Sequence, residues 1–191
     1  MDTLTPAPQQ KWHLFIYKVP GEPSSKRIYL WRELNRLGAL YLQQAVCLLP
    51  AQPGLLEKLE QLQARVKEFV GNSYLFRDLE LDSQQETRVI KEFRELRNTE
   101  YQEMIKEIHK YLAELDKEIR IHNFSPAEVE EEEAELEKIE RWYQRARQRD
   151  WYHAPLGEEA ARLIEEARAA LARFTDLAYS ASKTDESHPG N

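Results

Sequence analysis

The residues best placed for chemistry are cations around a short loop, PGEPSS, which runs from Pro20 to Ser25. Lys18 precedes the loop, and Lys26 and Arg27 follow it at once. A helix that begins after such a loop offers free backbone N–H groups and the positive end of its dipole to an anion. The loop has one glycine and neither GxGxxG nor GxxxxGK[ST], so a nucleotide cradle is weakly supported and a plain strand-to-helix turn is favoured.

The candidate nucleic-acid-binding residues are Lys18, Lys26, Arg27, Arg32 and Arg36. Successive residues of a helix are separated by about 100°, which places Arg32 and Arg36 one turn apart on one side. Clustered cations of this kind can bind a phosphate backbone. The alternative is a solvated helix face whose charge is partly neutralised by neighbouring glutamates.

The sequence offers no constellation typical of catalysis or metal binding. Its histidines show neither HxxxH nor HExxH spacing, and GxSxG is absent. The acidic run Glu130 to Glu133 precedes arginines on one predicted helix, which indicates a solvated helix with its charges ordered along the dipole. The single cysteine, Cys47, lies in the apolar run AVCLLP and is predicted to be a buried small hydrophobe. We predict no enzyme activity, no catalytic residue, no metal and no cofactor.

Composition favours an intracellular chain with long helices. It has 191 residues, of which 41% are hydrophobic and 32% charged, with only 6 glycines. Residues 1–82 carry 10 Lys and Arg against 9 Asp and Glu, whereas residues 83–191 carry 17 against 25. A nucleic-acid surface is therefore expected in the first part of the chain. No apolar run approaches the roughly 18 residues of a membrane span, and the N-terminus lacks an apolar signal core, so we predict a cytoplasmic protein without a membrane partner.

The elements that position the cations are strands and helices in alternation. Residues 11–19 (KWHLFIYKV) predict a strand, and a helix follows with Ile28, Trp31, Leu34 and Leu37 as its buried face and Gly38 as its stop. Residues 39–49 predict either two short strands bent at the glutamine pair 43–44 or one strand with a bulge. A helix up to Gly71 and a strand over 73–81 complete a predicted ferredoxin-like βαββαβ unit.

Strand patterns end at residue 82, and three amphipathic helices are predicted beyond it. The first begins at a capping box of Ser83 and Glu86, and the second begins at Ser125-Pro126 with Glu128 as its reciprocal glutamate. The fold class is therefore α+β: a ferredoxin-like unit followed by a long-helix hairpin or three-helix bundle. The predicted division is a flexible N-terminus (1–10), a ferredoxin-like domain (11–82), a helical extension (83–180) and a disordered tail (181–191).

Three consecutive segments resemble the N-terminal domain of ChrB-type chromate-resistance regulators. They are a strand ending in Y-x-V-P, a helix with R-x-x-x-W-R-x-L-x-x-L-G, and a segment L-Q-x-x-V-x-x-L-P. In this sequence their residues are Tyr17, Val19, Pro20, Arg27, Trp31, Arg32, Leu34, Leu37, Gly38, Leu42, Gln43, Val46, Leu49 and Pro50. The resemblance implies a transcriptional regulator of chromate-efflux genes, with promoter DNA as partner. Homodimerisation is implied only by analogy with more distant proteins that share the ferredoxin-like fold.

Two departures from related proteins qualify these expectations. In the ChrB-type family a second domain associated with the chromate response usually follows, and we expect this chain to lack it, which argues against chromate binding. The unit is more distantly similar to CRISPR-associated adaptation nucleases and PaaX-type repressors. In those nucleases an aspartate follows the first-strand tyrosine and holds a metal, whereas Lys18 stands here and would repel a divalent cation. The alternative to a DNA-binding regulator is a dimerising helical scaffold with no nucleic-acid role.

Overall fold

A computed structural model describes residues 10–186, so the N-terminus predicted to be flexible falls, apart from residue 10, outside the described residues. The elements in chain order are β1 (Lys11–Lys18), α1 (Ser25–Arg36), β2 (Leu40–Gln43), β3 (Val46–Pro50), α2 (Leu55–Glu68), β4 (Asn72–Glu80), α3 (Ser83–Ile121), α4 (Pro126–Arg147) and α5 (Leu156–Glu186). No described helix combines the length and the apolar character that crossing a lipid bilayer requires.

The first six elements form a ferredoxin-like βαββαβ unit, as the sequence predicts. The sheet order is β2-β3-β1-β4, and every neighbouring pair is antiparallel. The glutamine pair is a bend between two short strands, because β2 ends at Gln43 and β3 starts at Val46. The prediction of two strands is therefore confirmed over that of one bulged strand.

The chain divides into two compact units, with the boundary between Phe93 and Arg94. This boundary lies within α3, whereas the predicted ferredoxin-like domain ends at residue 82. The first turns of α3 belong to the first unit because Phe93 stacks on Trp12 of β1, with ring centroids 5.8 Å apart. Both side chains are almost fully buried.

The start of α3 differs from the predicted capping box. The side chain of Asp82, and not that of Ser83, accepts hydrogen bonds from the backbone N–H groups of Gln84 and Gln85, at 3.0 and 2.9 Å. A carboxylate at this position satisfies two free donors and also suits the positive end of the helix dipole. The preceding aspartate therefore outcompetes the serine hydroxyl.

The second unit is built from the remainder of α3 with α4 and α5. Its core contains Tyr101, Met104, Ile108, Leu115, Leu136, Ile139, Ala146, Leu163, Ile164, Ala167 and Phe174. The predicted cap of α4 is present, since the Ser125 hydroxyl accepts from the Glu128 backbone N–H at 3.1 Å. The Glu128 carboxylate, however, accepts from Asn123 at 2.8 Å. Residues 181–186, predicted to belong to a disordered tail, are the last residues of α5, and the rest of that predicted tail lies outside the described residues.

A partly buried polar cluster replaces apolar packing where the sequence RNTE interrupts the apolar pattern of α3. Glu100 forms an ion pair with Arg97 of the same helix. The other oxygen of that carboxylate accepts from Trp142 of α4 at 3.1 Å and from Arg149 at 2.5 Å. One glutamate thus joins α3 to α4 and to the segment that follows α4.

Candidate nucleic-acid interface on the first helix

Helix α1 buries only part of the predicted face: Leu34 is buried and Leu37 half-buried, but the other two predicted residues are exposed. Leu30 and Leu34 are fully buried. Ile28 and Trp31, which the spacing predicted to be core residues, are 44% and 55% exposed. The prediction failed because residues 28–31 (IYLW) are all apolar, so helical spacing alone does not select which of them points inward.

The outward side of α1 therefore carries large apolar side chains between arginines. At about 100° per residue, the order around the helix is Arg27, Trp31, Ile28 and Arg32, spanning about 140°. We refer to these four residues as the α1 surface. Arg27 and Arg32 are exposed, and neither forms an ion pair or hydrogen bond with a described side chain. Both guanidinium groups keep all of their donors for a ligand.

The third predicted arginine of this helix, Arg36, is already paired. Its Nη1 lies 2.6 Å from Glu33 Oε1, one turn back on α1. Such an exposed pair is worth little to stability. It nevertheless lowers the net positive charge that Arg36 presents to an approaching anion. Arg36 therefore differs from Arg27 and Arg32, which form no ion pair with a described residue.

Lys26 and Lys18 lie together at the C-terminal end of α2. The Lys26 ammonium donates to the Phe69 backbone carbonyl at 3.4 Å and lies 5.7 Å from the Phe69 ring centroid. The Lys18 carbonyl lies so close to Gly71 that a Cβ on that glycine would be 2.5 Å away. Lys26 thus stabilises the end of α2, where the helix dipole favours a cation, while the Lys18 side chain is exposed.

The cleft between α1 and α2, of about 590 Å³, offers little to an anion despite its basic residues. Arg36 is paired with Glu33, as described above. Arg65 Nη1 lies 2.5 Å from Glu68 and its guanidinium 5.9 Å from the Tyr29 ring centroid. Two of the three cations that line the cleft are thus neutralised inside it.

The structure gives no support for thiol or metal chemistry among the described residues. Cys47 is buried, and its burial raises the pKa of the thiol to about 12, so the thiolate that reactivity requires is scarce. This agrees with the prediction of a small buried hydrophobe. Across residues 10–186, no group of three or more His, Cys, Asp or Glu side chains could hold a metal ion.

His13 is buried on β1 opposite a bulge in β4. Its Nδ1 accepts the Asp78 backbone N–H at 3.4 Å, and Asp78 has a φ of 53°. Burial lowers the pKa of the imidazole, so the neutral ring is favoured. His13 is therefore part of the sheet and not an exposed acid or base.

Sequence reasoning found the arginines of the α1 surface but missed Trp31 and Ile28 as its apolar part. The sequence does contain a signal for this surface: Arg27 and Arg32 flank a continuous apolar run, IYLW. Such a run has more apolar residues than one buried helix face can hold. Some of them must therefore face outward beside the arginines.

The fold defines the class of this protein: an α+β protein in which a ferredoxin-like unit precedes a helical unit. Its N-terminal unit presents a basic, aromatic helix surface. The family model described as "Protein ChrB, N-terminal" matches residues 27–185, so the chain belongs to the ChrB N-terminal family.

A relative of this chain is Protein ChrB of Cupriavidus metallidurans. The two are 33% identical over 110 residues, which cover 56% of this chain and 33% of the relative. The matched stretch therefore spans about a third of the length of that relative. No solved structure matches this chain.

Proposed function

We propose that this chain is a non-catalytic regulatory protein of chromate resistance that contacts promoter DNA through the α1 surface and Lys18. The observation that carries the proposal is the exposure of Arg27 and Arg32, without ion pairs among the described residues, on either side of Trp31. Membership of the ChrB N-terminal family supports the association with chromate resistance. Guanidinium groups bind phosphate through two parallel hydrogen bonds, so unpaired arginines suit this contact.

The absence of catalysis in this proposal rests on chemistry and not on the family name alone. Lys18 stands where the distantly similar nucleases place a metal-binding aspartate, and an ammonium group repels a divalent cation. Cys47 is buried and protonated, and His13 is buried and held by the sheet. These features support binding as the function of the first unit.

Fluorescence anisotropy with DNA from upstream of chromate-efflux genes tests the proposal over a series of salt concentrations. Each phosphate contact contributes roughly 0.9 to the slope of log K against log salt, so an Arg27→Ala/Arg32→Ala variant should lower the slope by about 2. Arg36→Ala is the matched control, because Arg36 is on the same helix but is paired with Glu33. Its slope should change by clearly less.

Two results would refute the assignment of a DNA contact to α1. One is no binding by the wild-type chain to any of these sequences. The other is an equal loss from Arg36→Ala and from the Arg27/Arg32 variant, since a general charge effect does not depend on which arginine is removed. The net charge of −7 leads us to expect low affinity for arbitrary DNA.

A second candidate function is self-association, favoured by exposed aromatic side chains on the sheet. Tyr74 and Phe76 of β4 are 63% and 47% exposed, and they lie in register with Ile16 and Leu14 of β1. Opposite residues of an antiparallel pair share a face, so these four side chains form one apolar area. Light scattering over a range of concentrations tests this function. A Tyr74→Ser/Phe76→Ser variant should be monomeric where the wild-type chain is dimeric, and a wild-type chain that stays monomeric contradicts it.

A further inference from the structure

A cleft of about 260 Å³ lies between α3 and α4 in the second unit. Carboxylates predominate among the charged side chains that line it: Glu107, Lys110, Glu114, Glu131, Glu132 and Glu135. Three of these glutamates are neutralised nearby. Glu107 pairs with Lys110 at 2.6 Å, Glu114 with Lys117 at 2.5 Å, and Glu135 with Lys138 at 3.0 Å.

Glu132 is the exception within the cleft. It is only 5% exposed, yet its carboxylate makes no hydrogen bond or ion pair with any described residue. The Tyr111 hydroxyl also lines the cleft, but it donates its hydrogen bond to the Glu132 backbone carbonyl at 3.2 Å and not to the carboxylate. Ionising a carboxylate on so buried a residue is costly unless a positive charge lies beside it, so a cationic ligand in the cleft would stabilise the ionised form.

The pattern of carboxylates suits an ammonium group better than a metal ion. A divalent metal requires several oxygens arranged around one point, and no such group of side chains occurs within residues 10–186. An ammonium group carries one charge and three donors, and it can be held by fewer acceptors. Glu131 and Glu132 are the lining glutamates that remain outside these ion pairs, and Glu131 is exposed to solvent. One ammonium group is therefore enough to balance the buried charge.

A second cleft shares Glu107 and Glu135 with the acidic one. Its other charged residues are Arg145 and Lys138, and Lys138 is paired with Glu135. It has a volume of about 420 Å³ and is lined in part by Ile139 and Trp142. An alkyl stem attached to the ammonium group could lie against these side chains, as the stem of a lysine does on apolar surfaces. A chain bound in this way would place its ammonium end near Glu132 and its alkyl stem against the two apolar side chains of the second cleft.

We propose that the α3–α4 cleft binds an alkylammonium group, with Glu132 as its charge partner and Ile139 and Trp142 in contact with the alkyl stem. This ligand chemistry is shared by a free polyamine and by a lysine side chain of a partner protein. The site lies in the second unit and does not depend on whether α1 binds DNA.

Isothermal titration calorimetry on the full chain at about pH 8 tests the site with n-butylammonium chloride. Saturable binding is expected for n-butylammonium but not for n-butanol, which has a similar stem without the charge. Removing one member of a buried charge pair costs at least about 2 kcal/mol, so Glu132→Gln should weaken binding by at least about thirtyfold. Glu130→Gln is the matched control, because Glu130 is exposed on the same helix and does not line the cleft. Its affinity should equal that of the wild-type chain.

Two further probes identify the source of the ligand. Tighter binding of 1,4-diaminobutane than of N-acetyl-lysine methylamide supports the site and assigns it to a free polyamine, and the reverse order supports it and assigns it to a protein lysine. If Glu132→Gln does not fold, Glu132→Asp replaces it, because it withdraws the carboxylate by one methylene.

The proposal is overturned if n-butylammonium does not saturate, or if Glu132→Gln binds it as well as the wild-type chain does. Magnesium chloride at equal ionic strength provides the last comparison. Magnesium binding that equals that of n-butylammonium and is lost in Glu132→Gln would show a general cation site, and it would also overturn the assignment to an ammonium group.

Discussion

Replacing Glu132 by glutamine should stabilise the protein at neutral and alkaline pH. Burial, with repulsion from Glu128 and other glutamates, raises the pKa of Glu132 from its ordinary value of 4.5 to about 7. The folded chain therefore holds the proton more tightly than the unfolded chain does. Below about pH 4.5 both states are protonated, and this group costs nothing. As pH rises from about 4.5 to about 7, only the unfolded state loses the proton readily, so the free energy of unfolding falls.

The size of the effect follows from the interval between the two pKa values. Each pH unit in this interval is worth about 1.4 kcal/mol, which sets an upper limit of roughly 3 kcal/mol. Because several of the neighbouring carboxylates are exposed to solvent, screening reduces the expected gain to about 2 kcal/mol. Glutamine has nearly the same shape and no charge. The variant should thus exceed the wild-type chain by about 2 kcal/mol near pH 8 and by close to zero near pH 4.5.

Urea denaturation followed by circular dichroism at several pH values measures this difference directly. Glu130→Gln serves as the control, because Glu130 is exposed and its loss should change stability by no more than about 0.5 kcal/mol. The reasoning is refuted if Glu132→Gln and the wild-type chain differ by the same amount at every pH. A destabilised Glu132→Gln at about pH 8 would also refute it, since that result would mean that the ionised carboxylate has a favourable partner in the fold.

Two further predictions concern single helices. Leu30→Ala should destabilise the protein by about 2–5 kcal/mol and Trp31→Ala by less than about 1 kcal/mol, because only Leu30 is buried. Thermal unfolding of both variants measures this difference. An equal loss in the two variants would favour the buried face predicted from the sequence. Ser125→Ala should lower the free energy of unfolding by about 1 kcal/mol, because the Ser125 hydroxyl caps α4. Ser24→Ala should change it little, because the Ser24 side chain makes no capping hydrogen bond on α1. Urea denaturation of both variants tests this, and equal losses would contradict it.

Local patterns predicted the order of elements well because each depends on residues close in sequence. The bend at the glutamine pair follows from a polar break inside an apolar run, and β2 and β3 lie on either side of it. Ser125 and Pro126 marked the start of α4 because a hydroxyl cap and an early proline act within one turn. The α+β class and the ferredoxin-like unit followed from these local signals.

The details that failed depend on contacts between distant segments. The sequence does not say which apolar residues of α1 become buried, so it does not predict the exposure of Trp31. Glu132 looked like any other member of a solvated acidic run, and only the packing of α4 against α3 buries it. Sequence patterns group the five cations of the candidate site together, but Arg36 and Lys26 have partners inside the first unit. Such partners are chosen by tertiary geometry and leave no local signal.

The polar cluster around Glu100 has a consequence for how the second unit tolerates change. Apolar side chains along two packed helices are nearly interchangeable, so a slip of one helical turn costs little when only leucine and isoleucine meet. A slip of α4 along α3 would take Trp142 and Arg149 away from Glu100 and leave their donors and its charge partly buried without these partners. The cluster therefore encodes one alignment of the two helices. A substitution at one member of the cluster therefore requires a matching substitution at its partner, whereas the surrounding apolar residues can be substituted one at a time.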